Sequence, residues 1–136
     1  MQGLMILGFS LLALFGAPLA GFAGGEPPAV ASPHQPVRGD LDAARAGWAL
    51  IGEGALLIDV RSAEEFGQGH LAGAINIVHT DLDALAAAIG QEHARRVVLY
   101  CGTGRRAGLA VEQLEQRGYR GLFNATGYDA LLATQP

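Results

Sequence analysis

The hydrophobic positions of this chain change period from one segment to the next. After Asp40 they fall at Leu41, Ala44, Trp48 and Leu50, the spacing of one helix face. Asp40 is placed to cap that helix, and Gly52 and Gly54 to stop it. ALLIDV (55–60) is instead a short continuous apolar run, the pattern of a strand buried on both faces. Ser62 is placed to cap a short helix over 63–66, with Glu64 and Glu65 in the first turn, where the helix dipole favours acids. AINIV (74–78) predicts a second strand, and Asp81 and Gly90 bracket a helix over LDALAAAI. RVVLYC (96–101) predicts a third strand, apolar and β-branched. Residues 105–118 carry Leu109, Ala110, Val111 and Leu114 at helical spacing, with Gly118 as the C-cap. GLFNA (121–125) predicts a fourth strand and YDALLA (128–133) a last short helix.

Strands alternate with helices across short connections. That order predicts one α/β domain, a parallel sheet with helices on both faces, beginning near Asp40. Ligands of such sheets sit off the carboxyl ends of the strands. Cys101, the only cysteine, ends the third strand.

The N-terminal segment is of a different kind. Residues 1–23 hold no charged side chain, and the first in the chain is Glu26. The apolar stretch runs from about Gly3 to Leu19, Pro18 breaks it, and Gly21 and Ala23 are small residues at the −3 and −1 positions of a cleavage site. This is the pattern of a secretory signal peptide cut after Ala23. Its n-region lacks Lys and Arg, so the alternative is an uncleaved anchor, which roughly 20 apolar residues can supply. The domain is expected in the periplasm or otherwise exported, in contact with a membrane only if that segment is retained. Residues 24–39, rich in Pro, Gly and Ala, read as a flexible linker.

Charge narrows the partners. Net charge is −4 and all nine basic residues are Arg. No basic stripe is present, which excludes a nucleic-acid footprint. The adjacent pairs Arg95–Arg96 and Arg105–Arg106 suit a small anion or a solvated surface. The four His and one Cys form no metal-ligand spacing, and nothing calls for a cofactor. A single cysteine in an exported protein rules out an internal disulfide framework. It is buried structure, an intermolecular partner or a reactive thiol.

The loop CGTGRRA (101–107) favours the last. Gly102 and Gly104 let backbone N–H groups turn inward, and a helix N-terminus closes the loop. A thiol there meets N–H donors, a helix dipole and the guanidinium groups of Arg105 and Arg106, all of which favour thiolate. The thiolate is the nucleophile.

Cys101-Gly-Thr-Gly-Arg-Arg-Ala107 resembles the active-site loop of rhodanese sulfurtransferases, Cys-x-x-Gly-x-Arg-Ser/Ala. The stretch Asp59-Val-Arg-Ser-Ala-Glu-Glu-Phe-Gly-Gln-Gly-His-Leu-Ala-Gly-Ala-Ile-Asn-Ile77 resembles that family's other signature. Order and separation agree, and the resemblance covers about residues 54–132. It implies a single rhodanese-like domain in which Cys101 takes the outer sulfur of thiosulfate or another sulfane donor. Sulfite leaves, and the persulfide is passed to cyanide or a thiol. It further implies that N–H groups from Gly102, Thr103, Gly104, Arg105 and Arg106 steady the persulfide while the two arginines draw in anions. Arg106 matches the family's arginine, and Arg105 is its variable neighbour.

Asp59, Arg61, Glu65 and His70 are expected to support rather than react. A carboxylate after the apolar ALLI needs partners, for which Arg61 and backbone N–H groups are the candidates. The chain departs from the family near its end. Gly-Gly followed by an aromatic is replaced by Ala125-Thr126-Gly127-Tyr128, so the wall over 126–132 and the choice of acceptor are expected to differ.

Three other functions compete. A Cys-x5-Arg phosphatase or arsenate reductase needs Arg at 107, where the chain has Ala. A dithiol oxidoreductase needs a second Cys at 104, where it has Gly. A rhodanese-like binding or sulfur-carrier module without turnover is the third. With modest charge and no heptads, the domain is expected to be a monomer.

Overall fold

A computed structural model describes residues 38–136. The leader at 1–23 and nearly all of the 24–39 linker lie outside the described residues. Helix α1 spans Arg38–Gly52. It begins two residues before Asp40, which therefore lies in its first turn rather than at its cap. The first N–H groups of a helix have no intrahelical partner, so its start is loosely fixed by sequence. The remaining elements are β1 (Leu56–Asp59), α2 (Ala63–Gly67), β2 (Ile75–Asn76), α3 (Leu82–Ile89), β3 (Val97–Cys101), α4 (Arg105–Glu115), β4 (Leu122–Gly127) and α5 (Tyr128–Ala133).

The four strands form one parallel sheet in the order β2-β1-β3-β4. All five residues of β3 are buried, as a central strand covered on both faces requires. Alternation sorts them. Val97, Leu99 and Cys101 join a core with Leu85 and Ile89 of α3 and Ala107, Ala110 and Leu114 of α4. Val98 and Tyr100 join the opposite core with Ala44 of α1 and Leu131 of α5. The Trp48 indole donates to the Leu131 carbonyl at 2.9 Å and ties α1 to α5.

Two strands differ from expectation. β2 keeps two residues of the five in AINIV; beyond Asn76 this edge segment is held by Ile77 N–H to Asp59 O and His79 N–H to Val60 O, both 3.0 Å. β4 runs two residues past Ala125 to Gly127, and its register with β3 shifts between Leu99 and Cys101. The regular turns of α4 stop at Glu115, short of 118. Gly118 at φ +99 closes the end, its N–H donating to Glu115 O at 2.9 Å and that of Tyr119 to Leu114 O at 3.2 Å.

Candidate active site

Cys101 lies at the carboxyl end of β3 with no exposed surface. The chain reverses over Gly102-Thr103-Gly104, and the Gly104 N–H donates to Cys101 Sγ at 3.0 Å. Gly104 has φ +97, a left-handed conformation that glycine adopts without strain. It is also the N-cap of α4, and no side chain caps that helix. The first N–H groups of α4 are therefore left free at the loop.

The end of β4 braces this loop. Asn124 Nδ2 donates to Gly104 O at 2.8 Å, and Asn124 Oδ1 accepts from the Thr126 N–H at 3.0 Å. A Cβ on Gly127 would stand 2.3 Å from Gly102 O, so only glycine lets the two backbones approach. Thr126 takes φ +69 and is the only non-glycine residue at positive φ among the described residues. Threonine holds this left-handed conformation at a cost in strain.

Arg106 runs past Gly102, where a Cβ would stand 3.0 Å from its Nη2, to α2. Its Nη1 and Nη2 donate to Glu65 Oε1 and Oε2 at 2.7 and 3.0 Å, a bidentate pair. Ser62 fixes Glu65 from the other side in a capping box. Its hydroxyl accepts from the Glu65 N–H at 3.2 Å, and the Glu65 carboxylate accepts from the Ser62 N–H at 3.3 Å. The Arg106 guanidinium, with help from Ser62, lowers the Glu65 carboxyl from 4.5 to about 2. Arg106 is raised in turn, first by Glu65 and further by the Cys101 sulfur. Arg105 and Thr103 are exposed at the loop mouth, and Arg105 makes no ion pair among the described residues.

Asp59 and Arg61 form a separate buried hub. The Asp59 carboxylate accepts from the Arg61 N–H at 2.9 Å, from Nε at 3.0 Å and from Nη2 at 2.7 Å. Nη2 also donates to Gly69 O at 2.7 Å, and the guanidinium lies 4.5 Å from the Tyr128 ring centroid. Asn76 closes the hub by donating to Asp59 O and Arg61 O. Burial pushes the neighbouring Tyr100 phenol up. His70 is exposed, stacks on Phe66 at 3.6 Å and has its Nδ1 2.9 Å from Phe66 O.

Of the residues singled out in the sequence, Cys101, the loop 102–106 and Glu65 come together. Asp59 and Arg61 pair with each other, and the contacts of His70 stay within its own segment. Sequence reasoning gave no role to Asn124 or Asn76, and it gave Ser62 the cap of α2 without its hold on the Glu65 carboxylate. Ser62-x-x-Glu65 has capping-box spacing, and Asn in the middle of a strand runs against propensity.

The model of the rhodanese-like domain matches residues 43–133, and the chain belongs to that family. It is similar to the thiosulfate sulfurtransferase PspE of Escherichia coli K12, 39% identical over 70 residues that make up 52% of this chain and 67% of that protein. A solved rhodanese with anions from E. coli superposes with a TM-score of 0.53 at 36% identity, over 56% of this chain and 89% of its own. A human single-domain sulfurtransferase does so with a TM-score of 0.54 at 28% identity, over 65% and 90%.

Proposed function

We propose that the protein is a sulfurtransferase that carries sulfane sulfur on Cys101, taking it from thiosulfate or a related small anionic donor and giving it to cyanide or a thiol. The observation that carries this reading is the Gly104 N–H on Cys101 Sγ at 3.0 Å, at the head of a helix that no side chain caps. The Cys101 thiolate attacks the outer sulfur of thiosulfate. The bond between the two thiosulfate sulfurs breaks, and its electron pair leaves with sulfite. Cys101 then bears an anionic persulfide, which the free N–H groups at the start of α4 stabilise. The acceptor attacks the outer sulfur, the persulfide bond breaks and the cysteine thiolate returns. With cyanide the product is thiocyanate, and the cycle consumes no oxidant or reductant.

Arg105, exposed and without an ion pair among the described residues, is the group that draws in anions. Arg106 has its guanidinium shared with Glu65 and holds the loop against α2. The full burial of Cys101 supports a slender donor with a terminal sulfur. The likeness to PspE supports thiosulfate as the donor to try first. The uncharged apolar leader supports export, with the domain acting as a monomer outside the cytoplasm, tethered there if the leader is retained.

Cys101→Ser tests the reading. The variant is expected to fold and to show no thiosulfate:cyanide turnover above the uncatalysed rate; wild-type turnover in it sinks the proposal. The same burial favours one other reading, a binding domain with a structural cysteine. In that case the wild-type protein itself has no turnover and its thiol resists alkylation.

A further inference from the structure

Gly104 holds a hydrogen bond on the sulfur, yet it is the residue type least able to hold itself. No side chain caps α4 to steady it. Its carbonyl accepts twice, from the Gly108 N–H at 2.9 Å within the helix and from Asn124 Nδ2 at 2.8 Å. The other end of the Asn124 amide accepts from the Thr126 N–H at 3.0 Å. Both ends are used, and a flipped amide would set N–H against N–H and oxygen against oxygen. Thr126 is buried and sits at φ +69, so the strand end that anchors the amide is held in a conformation a β-branched residue avoids. Strain of this kind persists only where the surroundings over-determine it. Packing agrees, because a Cβ on Gly104 would lie 3.1 Å from Thr126 Cα.

We infer that Asn124 is a positioning residue of the active site: its side-chain amide locks Gly104 to the end of β4 and so keeps the Gly104 N–H on Cys101 Sγ. The inference rests on the reading of Cys101 as the reacting thiol. Asn124 makes no hydrogen bond to the sulfur among the described residues, and its effect passes through Gly104. The Arg106–Glu65 pair holds the loop from α2, and Asn124 holds it from β4.

Asn76 supplies a matched control. It too makes two hydrogen bonds, both as donor, to Asp59 O and Arg61 O at 3.0 and 2.9 Å, and makes none to the loop among the described residues. The test is the rate of Cys101 alkylation by iodoacetamide at pH 7 and pH 10, with KM and kcat for thiosulfate, in Asn124→Ala, Asn124→Asp and Asn76→Ala. Asn124→Ala is expected to alkylate roughly tenfold more slowly at pH 7, the loss that weakening one hydrogen bond to a charged acceptor brings. The deficit shrinks at pH 10, where thiols ionise without help. Its kcat falls in parallel while KM stays within about twofold, since donor capture is untouched. Asn124→Asp keeps the acceptor for Thr126 but loses the donor to Gly104, and shows the same loss. It also serves if Asn124→Ala fails to fold, as does the pair of changes Asn124→Ala and Thr126→Gly, which removes the left-handed strain. Asn76→Ala alkylates at the wild-type rate per folded molecule.

Wild-type alkylation and kcat in both Asn124 variants overturn the inference. So does an equal loss in Asn76→Ala, which makes the effect one of general stability. Alkylation needs no sulfur transfer. If the wild-type protein forms no persulfide, the proposed function fails on its own, and the alkylation contrast still decides the role of Asn124.

Discussion

Compare the Asp59–Arg61 pair with the Glu65–Arg106 pair. Both join an arginine to a carboxylate at 2.7 Å; the first lies within one of the two segments that resemble rhodanese signatures, and the second joins one segment to the other. Their surroundings differ. The side chains of Arg61 and Asp59 are 7% and 0% exposed, those of Arg106 and Glu65 32% and 37%. The first pair closes on itself two residues apart and is sealed by Tyr128, Gly69 and Asn76. The second spans 41 residues and ties the Cys101 loop to α2. On the proposed function, the buried pair is an element of the fold, and the more exposed one at the Cys101 loop is an element of the site.

That contrast is tested most severely by removing half of the buried pair. Asp59→Ala or Arg61→Ala strands an uncompensated charge and is expected to cost about 3–5 kcal/mol in urea unfolding. A cost under ~1 kcal/mol breaks the distinction. Arg106→Ala is expected to do the reverse. Its stability stays within about 1 kcal/mol of wild type, since a screened pair contributes little. Its kcat falls by as much as about 10²-fold, because the loop loses its tie to α2. Arg105→Gln should raise KM for thiosulfate a few-fold and flatten its dependence on salt, with kcat and urea midpoint unchanged.

The smallest effect lies in pH. The folded Glu65 carboxyl is depressed from 4.5 to about 2. Its contribution is therefore complete above its unfolded value and is lost progressively as pH falls from there to about 2. The difference in urea midpoint between wild type and Glu65→Gln should stay constant from pH 7 to pH 5 and close below about pH 3, where the unfolded carboxyl is already protonated. A difference that closes between pH 6 and pH 5 contradicts the depressed value.

Much of this molecule was legible in the order of its residues. The run VVLYC announced a doubly buried central strand. Strand, glycine turn and helix announced the loop that follows Cys101. Asp81 and Ser62 announced their helices by capping logic. The partner of Arg106 was not legible, because periodicity reports which face of an element is buried and says nothing of what meets it 41 positions away. Glu65 was credited to a helix dipole and a supporting role, with its ion pair unseen. Asn124 was hidden for the same reason: its bonds to Gly104 and Thr126 exist only once β4 lies beside β3. The departure at Thr126 was visible as a sequence oddity. Its meaning, a left-handed backbone pressed against Gly104, required the fold.

The most direct test of the central claim is an intact mass of residues 24–136, recorded after thiosulfate and again after cyanide. The account predicts a gain of one sulfur atom, its loss on cyanide addition, and no gain in Cys101→Ser. An unchanged mass in the wild-type protein, or the same gain in Cys101→Ser, contradicts it.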